Sequence, residues 1–168
     1  MPAEEAAAAY LSEEKGVLTA EEAIQGAKDI LAERISDTAG YRTYIRNITM
    51  NKGILQSSAK DGAVKTVYEM YYNYEEPVKK AAGHRILALN RGEAEKVLSV
   101  KVLAPEEQIY GYLEKQVIRR QNPYTAEILK EAVKDSYDRL IGPSIEREIR
   151  KELTDRAEEG AIRVFGKN

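Results

Sequence analysis

From Thr19 to Ile35, apolar residues return at steps of three and four: Ala20, Ala23, Ile24, Ala27, Ile30, Leu31 and Ile35. That spacing predicts a helix, and Thr19 with Glu22 has the form of a capping box at its start. Ser36 or Asp37 is placed to cap a second helix carrying Tyr41, Tyr44, Ile45 and Ile48. Gly53 in "NKG" is expected to stop it near the C′ position, the two helices meeting at a bend around Ser36.

The helical period is lost after Gly53. "ILQSS" followed by the turn-like "KDG" reads as a short strand near 53–58, and "KVLSVKVLA" reads as a second near 97–103, with β-branched Val97, Val100 and Val102 interspersed with polar positions. Between them, "EEPVKKA" and "HRILALNRGE" read as short helices, with Pro77 in a first turn and Gly92 as a breaker. Beyond Pro105 the pattern is helical again. Ile109, Tyr112, Leu113, Gln116 and Val117 mark one face, with Glu106 and Glu107 at the start and Lys115, Arg119 and Arg120 at the end, an order that suits the helix dipole. "NPYT" opens a further helix with Ile128, Leu129, Ala132, Val133, Tyr137 and Leu140 on one stripe, and "GP" at 142 and 143 is expected to end it. A long last helix then runs from about Ser144, with Ile145, Ile149, Leu153 and Ala157 at steps of four. Glu146 with Arg150 and Glu152 with Arg156 are spaced for ion pairs worth roughly 0.2–0.5 kcal/mol each. The fold expected is mainly α: an irregular multi-helix bundle with a small β element of about two short strands and a long C-terminal helix. It forms one helical region over 1–168, divisible into 1–52 with 105–168 (helical) and 53–104 (mixed).

Composition narrows the class. The 168 residues suffice for one ordinary domain that removes roughly 70% of its unfolded surface from water. A hydrophobic share of 43% against 32% charged residues places the chain among globular proteins, and its apolar runs fall short of the roughly 20 residues needed to span a bilayer. With no cysteine there are no disulfides and no thiolate metal sites, and no secretory signal is visible, so a cytoplasmic setting without membrane contact is expected. A net charge of −2 leaves room only for a local nucleic-acid contact.

Candidate chemistry concentrates in "YYNYEEPVKKAAGHRILALNRGE", residues 71–93. Lys79, Lys80, His84, Arg85 and Arg91 stand close to Tyr71, Tyr72 and Tyr74, a mixture of cations and aromatic faces able to hold phosphates and stack bases. Tyrosines at this density also serve as packing anchors, and that bland reading takes the larger share. His84 has no second histidine or cysteine with which to build a metal set. Asp29 and Glu33, four apart on a helix, have the spacing of a Mg²⁺ pair but equally that of a solvated face. Lys115, Arg119 and Arg120 with Gln121 and Asn122 read more economically as a helix C-terminus than as a phosphate site. No phosphate loop, nucleophile elbow or cysteine nucleophile is present, so no catalytic residue and no cofactor are assigned.

Three stretches, "GAKDILAERIS" (26–36), the 71–93 segment and "PSIEREIRKELTDRAEEGAIRVFGKN" (143–168), resemble the bacterial Tex transcription accessory proteins, and the likeness extends through "KGILQSS" to essentially the whole chain. The resemblance implies the later part of a helical N-terminal region, ending just before an RNase H-like YqgF domain. Helix-hairpin-helix motifs and an OB-fold RNA-binding domain are expected elsewhere in such proteins. The apolar, uncapped ending "AIRVFGKN" fits a cut at that boundary, and "MPAEEAAAAYL" resembles mid-chain sequence.

The same resemblance implies a cytoplasmic, non-enzymatic architectural region. It would brace nucleic-acid-binding domains, its partners being those other domains, RNA or DNA bound mainly through them, and the transcription machinery. Lys79, Lys80, Arg85 and Arg91 are kept as candidate weak nucleic-acid contacts. The alternative is a protein–protein interaction module of the transcription or translation machinery. A helix-turn-helix reader after Pro105 is a third reading, for which "ILKEAVKDSYDRL" is too evenly charged.

Overall fold

A computed structural model describes residues 2–60, 65–119 and 123–166, with side chains over 19–60, 65–119 and 123–163. Helix α1 (Pro2–Asp37) begins well before Thr19, so that residue lies inside a helix rather than at its start. Only the end of α1 enters the core: Ala32, Ile35 and Ser36 are buried and Leu31 is half-buried, whereas Ile24 and Ile30 are exposed. The break before α2 (Ala39–Lys52) falls at Thr38, whose extended backbone ends one helix and starts the next, and whose hydroxyl donates back to the Arg34 carbonyl at 2.8 Å. Ser36 is therefore not a cap. It accepts from Arg42 Nη2 at 2.8 Å while Nη1 of the same guanidinium donates to Ser144 Oγ at 3.0 Å, tying the α1–α2 corner to the last helix.

Gly53 ends α2 without a left-handed backbone (φ −70°, ψ 156°). Its amide donates to Thr49 O at 2.7 Å, and a Cβ would lie 2.3 Å from that oxygen, so close approach excludes a side chain there. Three strands come next, one more than the pattern predicts: β1 (Ile54–Ala59), β2 (Asn73–Pro77) and β3 (Leu98–Leu103), antiparallel in the order β2-β1-β3. Leu55, Ser57, Leu98, Val100 and Val102 are buried on the inner face. "EEP", expected to open a helix, instead ends an edge strand, and only Val78–Lys80 makes a 3₁₀ turn. Pro77 fits because Ala59 N→Tyr72 O and Val78 N→Gly53 O set the ladder phase, leaving the Pro77 nitrogen on the free edge where no bond is required.

Helix α3 (Gly83–Ala94) runs through Gly92 rather than stopping there. Gly92 is a close-approach position: a Cβ would sit 2.4 Å from Leu98 Cδ1. The stop comes at Lys96, which takes a left-handed backbone (φ 63°) while Lys96 N donates to Glu93 O and Val97 N to Gly92 O, a Schellman arrangement.

After α4 (Glu106–Val117), helix α5 (Pro123–Asp135) passes through a π-helical turn, Ser136–Ile141, straight into α6 (Gly142–Gly166), so "GP" does not end it. Gly142 N reaches Tyr137 O, five residues back, and the wider turn accommodates Pro143, which has no N–H to give. Arg156 pairs with Glu152 as expected, at 2.8 Å, but Arg150 leaves Glu146 for α3 and β3. One buried cluster, including Ile45, Leu55, Leu89, Ile109, Val133, Ile141 and Ile149, joins helices and sheet. Asp61 and Gly62 of the expected turn, and Arg120, Gln121 and Asn122, lie outside the described residues. No helix among the described residues is long and apolar enough to cross a membrane.

Candidate functional site

The 71–93 segment folds as a 3₁₀ turn (Glu69–Tyr71), strand β2, the turn Val78–Lys80 and helix α3. Tyr71 is 5% exposed and meets Tyr74 edge-on, ring centroids 5.2 Å apart, and the Tyr72 hydroxyl lies 2.7 Å from Thr66 Oγ1. The Tyr74 hydroxyl donates to Glu76, and burial, then that bond, pushes its pKa to about 12. All three rings are engaged by the protein.

The four candidate cations are not gathered in one cradle. Arg85 Nε is 2.9 Å from Glu76 Oε2 and 30% exposed, so its charge is already answered by β2. Lys79 and Lys80 are exposed on the turn, Lys79 lining a small hollow of ≈ 120 Å³ with Arg156. Arg91 and His84 share the outer stripe of α3 and line a shallow pocket of ≈ 460 Å³ with Leu87, Asn90 and Glu158. Asp29 is exposed and accepts from Gln25 Nε2 at 3.0 Å, Glu33 is exposed nearby, and among the described residues no group of three or more acids and histidines is placed to hold a metal. Arg119 donates to the Gln116 carbonyl at 3.3 Å, as a helix C-terminal cation should.

A larger cleft, ≈ 770 Å³, escapes sequence reasoning because its walls come from distant segments: Thr49 of α2, Lys101–Ala104 at the end of β3, Glu106, Glu107 and Tyr110 of α4, Lys134, Tyr137 and Asp138 around the π turn, and Pro143 and Glu146 of α6. Lys134 Nζ is 2.6 Å from Asp138 Oδ2 and 5.5 Å from the centroid of the Tyr110 ring, and the Tyr110 hydroxyl donates to the same carboxylate. Burial pushes Asp138 up, but the bonds from Lys134 and Tyr110 outweigh it and hold the group below its ordinary value. Tyr137, 5% exposed, rises to about 12 through burial first and then the charges of Glu106, Asp138 and Glu146. The cleft is therefore net acidic. Thr49 is 2% exposed and its hydroxyl has no partner. In the sequence these residues stand out only one by one, Glu106 and Glu107 as helix-dipole partners, Glu146 as half of an ion pair, and Val102 and Tyr137 as members of a strand and a helix stripe.

A family described as Tex central region-like matches residues 1–165. The protein YdcI of Bacillus subtilis (strain 168) is 52% identical over 162 residues, covering 95% of this chain and 22% of its own length. S1 RNA-binding domain-containing protein 1 of Homo sapiens is 31% identical over 168 residues, 92% of this chain and 17% of its own length. A transcription elongation factor SPT6 homolog of Arabidopsis thaliana is 26% identical over 162 residues, 85% of this chain and 10% of its own length. The chain thus spans about a fifth or less of the length of these relatives.

Proposed function

The chain belongs to the Tex central region-like family, and on that premise we propose that it is a non-enzymatic architectural region of a cytoplasmic transcription accessory protein. In this reading it braces nucleic-acid-binding domains carried by other parts of such a protein. The names of two relatives, an S1 RNA-binding domain-containing protein and a transcription elongation factor homolog, support the setting. The observation that carries the bracing role is Arg150. From α6 it donates to Asn90 at 3.0 Å and Glu93 at 2.7 Å on α3 and to the Val100 carbonyl at 3.3 Å on β3, so one 19%-exposed guanidinium clamps three elements.

Nucleic-acid contact by this region itself is weak and falls to Lys79, Lys80 and Arg91; Arg85, paired with Glu76, contributes less than the sequence suggests. Fluorescence anisotropy with single-stranded RNA and duplex DNA at two salt concentrations tests this. Expected are weak binding that fades with salt, loss on changing both Lys79 and Lys80 to Ala, and no Mg²⁺- or Mn²⁺-dependent nuclease or NTPase turnover. Turnover abolished by Asp29→Ala or Glu33→Ala would overturn the non-enzymatic reading.

A second reading, a protein–protein interaction module, draws on Val67 (86% exposed) and Met70 (70%), neighbouring apolar side chains beside β2. Val67→Ser with Met70→Ser would then weaken a polymerase pull-down while leaving the melting temperature unchanged. An undiminished pull-down counts against it.

A further inference from the structure

We propose that the ≈ 770 Å³ cleft between β3, α4 and α6 binds an extended cationic peptide segment, its basic side chains held by Glu106, Glu107 and Glu146. The proposal stands apart from the bracing role and from the nucleic-acid candidates on the turn and α3.

Charge complementarity chooses the occupant. Four carboxylates line the cleft, those of Glu106, Glu107, Asp138 and Glu146, against two ammonium groups, Lys101 and Lys134, and Lys134 is already spent on Asp138. An anionic ligand such as a nucleic-acid backbone would meet an unanswered negative surface. The chain also supplies its own precedent for how this cleft treats a cation: the Lys134 ammonium lies between a carboxylate and the Tyr110 ring, the arrangement an incoming Lys or Arg could repeat at the remaining acids.

One further observation points to a ligand with a backbone. Strand β3 is an edge strand whose outer side is met by side chains of α6 in place of a further strand: Arg150 donates to Val100 O, and Glu146 accepts from Val102 N at 3.3 Å. Because both polar groups of one residue leave an antiparallel strand on the same side, the Val102 carbonyl leaves on the cleft side with its N–H, where an extended segment can meet it.

The test is anisotropy of a fluorescein-labelled short peptide alternating lysine and threonine, titrated with the intact chain at low salt. Its controls are a glutamate–threonine counterpart and single-stranded RNA as competitor. Expected are saturable binding of the lysine peptide alone, no displacement by RNA, and affinity about fivefold lower in a Glu106→Gln/Glu107→Gln variant. Both glutamates are exposed, so that variant folds. Equal binding of both peptides, displacement of the lysine peptide by RNA, no binding at low salt, or unchanged affinity in the glutamine variant would each overturn the proposal.

Discussion

Replacing Gly92 by alanine sets two opposing effects against each other at a single helical position. In an exposed helix interior the change is favourable by roughly 0.5–1 kcal/mol, because alanine loses less backbone freedom on folding. At Gly92 the new methyl would lie 2.4 Å from Leu98 Cδ1, 2.8 Å from Leu98 Cγ and 3.2 Å from Tyr68 Cδ1. Leu98 is 1% exposed on β3 and has no solvent into which to retreat, so α3 must lift from the sheet or leucine must leave its rotamer. Overpacking of this kind costs about 1–3 kcal/mol, leaving a net loss of about 1–2 kcal/mol and a melting temperature lowered by roughly 2–8 °C for a chain of this size. The control is Gly111→Ala in α4, where nothing lies within 4 Å of the added carbon and only the gain of up to about 1 kcal/mol applies. Thermal melts by circular dichroism, with urea titrations for the slopes, give both numbers. If Gly92→Ala melts at or above the parent protein, or if the two variants shift in the same direction, the contact between α3 and β3 is not as tight as described.

Lys96→Gly, at the left-handed residue ending α3, should stabilise by about 0.5–1 kcal/mol, seen as a higher urea midpoint at unchanged slope; an unchanged or lower midpoint would contradict the Schellman cap. Arg150→Ala removes the clamp on α3 and β3 and should cost about 1.5–3 kcal/mol in urea unfolding, whereas exposed Lys151→Ala should cost under about 0.5 kcal/mol. Asp138, held below its ordinary pKa in the folded state, contributes stability that is fully present above the unfolded carboxylate value and is lost as pH falls through the folded one. The difference in urea midpoint between the parent and Asp138→Asn should therefore close below about pH 4, and a gap persisting in acid would refute the pairing. Tyr137, raised to about 12, stays protonated while an unfolded tyrosine ionises, so its contribution to stability is fully present below the unfolded value of about 10 and is lost as pH rises through the folded one. Tyrosinate difference absorbance of Tyr137→Phe against the parent should lack a component titrating near the raised value.

How much of this was legible in the sequence varies by element, for physical reasons. Helices α2 and α4, the run from Ile145 to Ala157, and strands β1 and β3 each carry a period that their burial then obeys. Strand β2 does not: Tyr74 and Glu76 face inward and Asn73, Glu75 and Pro77 face outward, but two glutamates before a proline carry the local signature of a helix start. Thr19 and Glu22 match a capping box, yet nothing local forbids the helix from continuing on both sides. The pairing of Arg85 with Glu76 depends on β2 and α3 meeting in space, and so does the acid-lined cleft, built from residues as far apart as Thr49 and Glu146. Spacing along a chain reports neighbours within an element; it is silent about walls contributed by separate elements.

The π turn between α5 and α6 has a consequence for how this stretch can tolerate change in length. A π turn holds one residue more than an α-helical path between the same ends would need, so losing a single residue from 136–141 lets the rod become regular and leaves the faces on either side of it aligned as before. The same loss a few residues later, at exposed Arg147, turns everything downstream by about 100°. Ile149, Leu153 and Ala157, all buried, would then swing off the core together. The spare residue is held in place by Pro143, whose ring would crowd the carbonyl four residues back in a regular helix at a cost of about 3 kcal/mol. Among related sequences, a one-residue gap in this rod is therefore expected to fall inside the π window and to coincide with the absence of proline at the position of Pro143.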